Sequence, residues 1–438
     1  MESTTIKTNL VKQECRTESK TSKLWNRDFS LLVGGQFISI FGNMILSFAL
    51  PLYLLHISGS AALFGLVMGL TNIPLLLMSP IGGMIADRFK KQRVMFWLDA
   101  STTVLIVGYI LASGFTAAII PIIIVKLMAL NAIQGVYMPA VSASVPALVN
   151  EGRLVSANSV VNLVNSLSGI GGMAIAGVLF ARFGLLPILV VSAGCFAITA
   201  VMDLFIRVPF KQQDNSGGIV KIVKGDLSQS LRFMKSQPII LKSIAMIFLL
   251  TATLGSVIMV GIPVLITQYL EMGMEFVGIS QSIMLTGGIF GGIITGILGN
   301  KLRTGNLYML IIVSGLTLIP IGLAILFNAP YFIIYIIMTV ACLLALAALT
   351  ALNIRIVSLI QGQTPTELIG KVISVVTMLP FLGNAIGQFI YGIAFEQLAA
   401  LPYIIMFATA GVVAMIGVFT RRSFRTCSCY KKMHIFAG

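Results

Sequence analysis

The sequence predicts an all-α integral membrane protein with twelve transmembrane helices in two six-helix, pseudo-symmetric halves. Hydrophobic residues make up 57% of the 438-residue chain and charged residues only 10%, whereas a soluble domain carries roughly 25% charged residues. Long runs without charge recur along the chain, and a run of about 20 apolar residues matches the hydrocarbon thickness of a membrane. The second half of the chain also repeats features of the first.

Charges and turn residues delimit the twelve apolar spans. Their predicted limits, in chain order, are 29–55, 62–86, 94–113, 117–138, 155–180, 184–206, 239–268, 276–299, 306–327, 331–353, 370–395 and 401–420. The longest polar interruption divides the spans six and six. The predicted organisation is therefore a cytosolic N-terminal tail (1–28), an N-terminal bundle (29–206), a cytosolic central loop (207–238), a C-terminal bundle (239–420) and a cytosolic C-terminal tail (421–438).

Lysine and arginine are distributed asymmetrically between alternate loops. The N-terminal tail has six, the loop between spans 2 and 3 has four, residues 207–242 have seven and the C-terminal tail has five. Most of the loops on the other side have none. Under the positive-inside rule, this pattern predicts that both termini lie in the cytoplasm. The predicted location is the inner (plasma) membrane of the cell. The net charge of +15 then indicates an anionic lipid surface as neighbour rather than nucleic acid.

The two halves resemble each other at offsets of 212 to 215 residues. An ordered series at one offset indicates an internal repeat. Six spans per half give both halves the same orientation, so an axis along the membrane normal should relate them. The matching features are Gly42 with Gly255, "ALPLYLL" (49–55) with "GIPVLIT" (261–267), Gly65 with Gly278, Gly83 with Gly296, and "GVLFARF" (177–183) with "GIAFEQL" (392–398).

The loop "GGMIADRFKKQRVMF" (82–96) carries a glycine, three residues, Asp87, Arg88 and a basic cluster. It resembles the signature of the major facilitator superfamily in the loop between helices 2 and 3. The chain further resembles the macrolide-efflux type of drug exporters. That resemblance is carried by "ADRFKKQRVMFWLDA" (86–100), "MPAVSASVPALVNEGRLVSAN" (138–158), "LFIRVP" (204–209) and "TPTELIGKVIS" (364–374).

The resemblance implies a gate at the cytoplasmic side. Asp87 would lie beside the N-terminus of helix 11, where the helix dipole favours an anion, and would hold the halves together near Gly370 and Lys371. Arg88 would brace it, and Asp99 would be a second acid. Alternatively, Asp87 only lowers the positive charge of a loop whose basic residues determine the membrane topology. The expected gating residues are Gly83, Asp87, Arg88, Arg93, Asp99, Gly370 and Lys371.

Polar residues inside the spans are candidates for lining a central cavity. Asn158, Asn162 and Asn165 lie at i, i+4 and i+7, so they share one face of span 5, and amides avoid lipid. Hydrogen bonding between helices is the alternative role. The full set of cavity candidates is Gln36, Asn43, Lys126, Gln134, Asn158, Asn162, Asn165, Thr377, Asn384 and Gln388.

Two charged residues in the first bundle leave their roles open. Lys126 lies roughly 13 Å from the outer end of span 4, so it either faces the cavity or extends its amine to the outer surface. Asp203 precedes Arg207 by four residues. A local helical ion pair is therefore favoured over a coupling role for Asp203.

The predicted function is secondary active export of amphipathic small molecules by alternating access. The chain has two histidines and no nucleotide-binding signature, which argues against an enzyme, a metal site or a bound cofactor. An ion gradient would drive transport. The resemblance implies proton antiport, although no obvious acid lies in the middle of a span. The expected partners are the substrate and membrane lipids, and the expected state is a monomer. An uptake symporter of the same fold and a non-transporting sensor remain alternatives.

Overall fold

A computed structural model describes residues 25–112, 119–150, 153–209, 232–298, 307–365 and 368–435. Within these ranges, the side chains of residues 87, 112, 119, 155, 298, 369–371, 374, 377 and 422–435 are not described. The described part of the chain is helical, and twelve of its helices are long and apolar enough to cross a membrane. The predicted all-α fold with twelve spans is confirmed.

We number the spans α1 to α12, and count an interrupted helix as one span. The N-half comprises α1 (Arg27–Ser58), α2 (Ala61–Arg88), α3 (Lys91–Ala112), α4 (Ile119–Leu148), α5 (Leu154–Phe183) and α6 (Leu185–Phe205). The C-half comprises α7 (Pro238–Tyr269), α8 (Met274–Leu298), α9 (Leu307–Leu326), α10 (Tyr331–Gln363), α11 (Ile369–Gln397) and α12 (Pro402–Ile435).

Local sequence signals set the ends of the first two helices. Asn26 caps α1 by accepting the Phe29 amide at 2.7 Å, and α1 ends at Ser58, followed by Gly59 with a left-handed φ of 64°. Glycine adopts that conformation without a steric penalty. Ser60 then caps α2 by accepting the Leu63 amide at 3.1 Å. The connection between α1 and α2 is therefore a tight turn with both helix ends capped.

The seventh span departs from the continuous α-helix that its sequence predicts. It is α-helical from Pro238 to Leu250 and mainly π-helical from Thr251 to Tyr269. In this part the Ser256 hydroxyl donates to the Thr251 carbonyl five residues earlier and approaches the Asn384 side chain of α11 at 3.1 Å. Single π-helical turns recur at functional sites, and here they lie against α11.

We call the end of the bundle that carries residues 59–60, 184, 270–273 and 398–401 the distal end. The opposite end, which carries residues 25–26 and 206–209, is the terminal end. The two halves contact each other along α2 with α11 and along α5 with α8. Both pairs are antiparallel. The Cβ of an alanine at Gly65 would lie 2.3 Å from the Gln388 carbonyl oxygen of α11, so only glycine fits there.

The internal repeat is visible in these contacts. Gly65 of α2 lies against Gly392 of α11, and Gly177 of α5 lies against Gly278 of α8. Gly65 and Gly278 are equivalent in the repeat, and so are Gly177 and Gly392. Each half therefore contributes the same two glycines to two equivalent contacts, as a pseudo-two-fold axis requires. We call these contacts the two glycine seams.

Candidate functional site

A hydrogen-bonded latch joins the halves at the distal end. The Glu396 carboxylate of α11 accepts the Ser60 hydroxyl and, at 2.8 Å, the Ala62 amide in the first turn of α2. An anion at a helix N-terminus is stabilised by unpaired backbone N–H groups and by the helix dipole. We call this group of residues the distal latch. In the sequence, its only signals are a capping serine before span 2 and an acid near the end of span 11, and they did not predict this contact.

Other hydrogen bonds cross between the halves in the same region. The Asn72 amide of α2 donates to the Gln388 side chain of α11 at 3.2 Å. Gln268 donates to the Gly59 carbonyl at 3.1 Å. On the other seam, Ser282 of α8 donates to the Ile170 carbonyl of α5 at 2.8 Å. The distal parts of both seams are thus closely packed and hydrogen-bonded.

The amide stripe of α5 faces the other half of the protein. At 100° per residue, Asn158, Asn162 and Asn165 fall within about 60° of one another. Gly169 continues this line, and a Cβ at Gly169 would lie 3.5 Å from Leu285 of α8. Asn158 and Asn162 are exposed even though they face inward. The space between the halves is therefore accessible along the terminal part of α5.

The exposed leucines of α5 point elsewhere. Leu163 and Leu167 are 56% and 51% exposed, and they project about 140–180° away from Asn158. This is the face expected to contact lipid. The Oδ1 atom of Asn165 is buried without a hydrogen-bond partner, so one amide oxygen of the stripe is available to another donor.

Two of the cavity candidates on α11 already form hydrogen bonds with neighbouring helices. Gln388 is buried and accepts from Asn72, and the Asn384 side chain accepts from Ser256. Phe381 lies on the same face as Gln388, two turns nearer the terminal end, and is 43% exposed. Phe37 is also 43% exposed and stacks on Phe41, although its helix α1 is the most enclosed span of the N-half. Aromatic rings thus share the interior with the amides.

Gln36 lies inside the N-half rather than in the space between the halves. Its side chain is 2% exposed and donates to the Tyr137 hydroxyl at 3.1 Å. One turn further along α1, the Ser39 hydroxyl donates to Asp99 of α3 at 3.4 Å. Thr199 of α6 lies close to Asp99, and its own hydroxyl donates to the Phe196 carbonyl at 3.0 Å. Asp99 thus lies more than two turns into α3, within a buried polar cluster of four helices.

Asp203 belongs to this cluster and not to the expected ion pair with Arg207, so that prediction is wrong. α6 ends at Phe205, and Ile206 has an extended conformation with ψ 134°. Arg207 consequently leaves the helix, and its backbone amide binds Asp28 of α1 at 3.1 Å. Asp203 is 2% exposed, and its carboxyl lies within electrostatic reach of Asp99. Two acids are therefore buried inside the N-half, where the sequence offered no obvious mid-span acid.

Lys126 does not extend its amine to the outer surface, and its role in lining the cavity stays a prediction. Its side chain is only 5% exposed, so the amine does not reach the outer surface. The Nζ atom lies 4.1 Å from the centre of the Tyr109 ring on α3 and has no hydrogen-bond partner. This cation–π contact lies within the N-half, beside a cluster of buried aliphatic side chains.

Asn43 and Gln134 lie beside a small cavity of about 10 Å³ within the N-half. Asp99 and Tyr137 also line this cavity. Asn43 accepts the Ser47 hydroxyl at 3.0 Å. The two amides are thus neighbours of Asp99.

The cytoplasmic gate stays a prediction. Asp87, Gly370, Lys371 and Thr377 lie on described helices, but their side chains are outside the described ones. Arg88 and Arg93 are exposed. A Cβ at Gly83 would meet no atom within 4 Å, so Gly83 permits no close contact here; its neighbour Gly82 does, against Val136 of α4.

A groove of about 760 Å³ opens at the distal end beside the α5–α8 seam. The N-half contributes Tyr53, His56 and Arg182 to it, and the C-half contributes Glu275. These residues were not predicted to lie together. Their approach depends on how α5 and α8 pack, which no local pattern reveals.

Comparison with known proteins places this architecture in a family. A family model described as the Major Facilitator Superfamily matches residues 32–388. Over 398 residues the chain is 22% identical to macrolide efflux protein A of Streptococcus pyogenes. The aligned region covers 88% of this chain and 93% of that protein. Over 363 residues it is 24% identical to the enterobactin exporter EntS of Salmonella choleraesuis (strain SC-B67), covering 82% and 83%.

A third relative matches over a shorter range. The uncharacterized MFS-type transporter YfiS of Bacillus subtilis (strain 168) is 25% identical over 212 residues, which are 48% of this chain and 50% of that protein.

Solved structures share the fold. The nucleoside transporter NupG matches with a TM-score of 0.72 at 14% identity, covering 91% of this chain and 99% of that one. A bacterial homologue of the lysosomal transporter Spinster matches with a TM-score of 0.70 at 14% identity, covering 91% and 96%. The family and its structural neighbours are transporters and not enzymes. The chain is a multi-pass membrane transporter that belongs to the Major Facilitator Superfamily.

Proposed function

We propose that this transporter exports amphipathic small molecules by alternating access. The observation that carries the proposal is the composition of the accessible interior. Asn158 and Asn162 are exposed there on α5, and Phe381 is exposed on the inward face of α11. Amides offer hydrogen bonds and aromatic rings offer apolar contact, without a fixed charge. Such a lining suits compounds with a large apolar surface and a few polar groups.

The relatives support the outward direction. The macrolide efflux protein and the enterobactin exporter are both named for export, and each aligns over more than 80% of this chain. Macrolides are one substrate class to test first, within a broader multidrug selectivity. The two halves of a single chain enclose the interior, so the functional unit in this proposal is a monomer surrounded by plasma-membrane lipid.

The conformation supports a route from the cytoplasm. In this proposal the terminal end is cytoplasmic, because the lysines and arginines are concentrated in the loops and tails at that end. The distal latch and the distal parts of the glycine seams then close the outer side while the amide stripe is accessible from within. Export requires the reverse state, in which the distal latch opens and Asp87 holds α2 to the N-terminus of α11 at the cytoplasmic end.

The first experiment is a susceptibility panel in a bacterial host that lacks its own drug pumps. The panel contains macrolides, cationic dyes and catechol compounds, and the chain is expressed beside an Asp87→Asn variant. We expect resistance to at least one amphipathic class, lower cellular accumulation of that compound, and loss of both effects in the variant at equal expression.

Other outcomes would contradict the proposal. Higher accumulation on expression would indicate uptake. Unchanged accumulation across the whole panel, with binding of a panel compound retained by the purified protein, would indicate a sensor. Full activity of the Asp87→Asn variant would refute the cytoplasmic gate.

A further inference from the structure

We infer that Asp99 and Asp203 form a shared proton-binding site inside the N-half, which couples proton movement to transport. This inference rests on the proposed ion-driven export. It names the residues that hold the proton and places them outside the space between the halves, on the far side of α1 from the amide stripe.

Both carboxyl groups are buried and incompletely satisfied. Asp99 and Asp203 are each 2% exposed. Asp99 receives the Ser39 hydroxyl through Oδ1 and contacts Thr199. The Oδ2 atoms of both acids are buried without a hydrogen-bond partner. Each acid therefore has an oxygen that is free to carry a proton.

The groups that face the pair are neutral hydrogen-bonding residues from every helix packed against it. They are Gln36 and Ser39 of α1, Thr102 of α3, Tyr137 of α4 and Thr199 of α6. The basic residues nearest along the same helices lie elsewhere. Arg93 and Arg207 are exposed towards the terminal end, and the Lys126 amine lies over Tyr109, roughly 16 Å along α4 from Tyr137.

Two buried negative charges without a counter-ion are unstable. An isolated buried carboxylate costs many kcal/mol because water no longer solvates it, and two neighbouring carboxylates repel each other as well. At least one proton must therefore reside on the pair in this conformation. The step is simple acid–base exchange, in which one carboxylic acid releases a proton to water and becomes a carboxylate.

The position of α1 explains how the proton would be linked to substrate. One side of α1 contacts the pair through Ser39. Its other side contacts α5, where Ser168 donates to the Phe37 carbonyl at 3.2 Å, close to the amide stripe. A change in repulsion between α3 and α6 is therefore transmitted through one helix to the substrate-facing surface. The cavity of about 10 Å³ beside Asp99 is large enough for one water molecule, which could accept the proton that the acid releases.

The first test does not depend on a substrate. Infrared spectra of the purified full-length protein, in water and in deuterated water, report protonated carboxyl groups by their carbonyl stretch. At neutral pH we expect the wild type to show such a band and the Asp99→Asn/Asp203→Asn double variant to lose it. Glu271→Gln, which removes an exposed distal acid, should keep the band. An identical band in the double variant would overturn the proposal.

The second test separates coupling from transport. In proteoliposomes, wild type should accumulate an external labelled compound, chosen from the panel as one that the protein moves, against its gradient when a pH gradient is imposed. Asp99→Asn and Asp203→Asn should each lose this accumulation but keep exchange of labelled for unlabelled compound. Driven accumulation in either variant would overturn the proposal.

The exchange assay also monitors folding, because a variant that exchanges substrate is folded. If a single variant also loses exchange, the serine variant of the same residue (Asp99→Ser or Asp203→Ser) is tested in its place, because serine keeps a small polar group. It must lose driven accumulation and keep exchange. Failure of the wild type to move any panel compound would refute the proposed export, and the infrared result would still decide the proton site.

Discussion

Glu396 near the end of α11 accepts a hydrogen bond from the Ser60 hydroxyl, and the same hydroxyl caps the N-terminus of α2. The predicted contact of Asp87 with the N-terminus of α11 is the equivalent contact at the other end of the same helix pair, with the roles of the two helices exchanged. Because α2 and α11 are antiparallel, an acid near the end of each helix can engage the beginning of the other. Opening one latch while closing the other is a direct way to alternate access.

Glu396→Gln should weaken the distal latch and shift the conformational equilibrium towards a distally open state. The carboxylate is exposed, so its interaction with the helix N-terminus is worth about 0.5–1 kcal/mol. The expected population shift is about two- to fivefold. It can be measured by distances between spin labels placed on the exposed residues 57 and 399 in otherwise cysteine-free protein. Glu271→Gln is the control, and a shift of equal size there would contradict a specific latch.

Gly65→Ala should prevent the distal seam from closing. The new Cβ would lie 2.3 Å from a backbone carbonyl oxygen, which cannot move aside as a side chain can. Gly278→Ala, the equivalent substitution in the repeat, would meet the Met173 carbonyl at 2.6 Å and should act in the same way. In both variants, cysteines placed at the distal end should react faster with a water-soluble thiol reagent, and transport should fall.

The control for these substitutions is Gly194→Ala on α6, where no atom lies within 4 Å of the new Cβ. There, alanine should be tolerated, because it favours a helix by about 1 kcal/mol relative to glycine. Normal transport in Gly65→Ala would show that the α2–α11 seam need not close.

Asn162→Leu should alter substrate selectivity rather than folding. Removing one amide from the accessible stripe deletes a hydrogen bond worth about 0.6 kcal/mol, so the KM of polar substrates should rise about threefold while apolar substrates are favoured. Competition between panel compounds in a transport assay measures this change. Leu163→Ala, on the adjacent outward face, is the matched control. A uniform loss for all compounds in Asn162→Leu would indicate a structural role instead.

Lys126→Met should leave transport intact and stabilise the protein. The amine is buried over Tyr109 without a hydrogen-bond partner, and a buried charge is costly to desolvate. Replacing it with an apolar side chain of similar length should raise the Tm by an amount equivalent to on the order of 1 kcal/mol. A thermal-shift measurement in detergent checks the stability. Loss of transport would instead support the cavity role that the sequence allowed.

The sequence predicted the membrane fold well because its signals are local. Twelve apolar runs and the alternation of basic loops depend only on the neighbouring residues, and the repeat predicted the equivalence of Gly65 with Gly278 before any contact was known. The glycine seams then give that equivalence a physical meaning. The π-helical part of α7 could not be predicted, since its residues are ordinary for an α-helix and the stabilising contacts come from α11.

The candidate site was harder to predict because burial depends on packing between helices. Asp203 illustrates this: four residues separate it from Arg207, but α6 ends before the arginine. Gln36 was expected in the cavity, yet its partner is Tyr137 on α4. By contrast, the i, i+4, i+7 pattern of span 5 correctly placed three asparagines on one face, because helical periodicity alone determines that arrangement.

The glycine seams also suggest how such a protein could arise. Where Gly65 meets Gly392 and Gly177 meets Gly278, each half presents the same two positions to the other. This reciprocity is the hallmark of an isologous dimer, in which one patch serves both subunits. A six-helix ancestor that paired with a parallel copy of itself would have formed both contacts with a single pair of glycines. After gene fusion the two copies were free to diverge, and only one of them carries the buried acids Asp99 and Asp203.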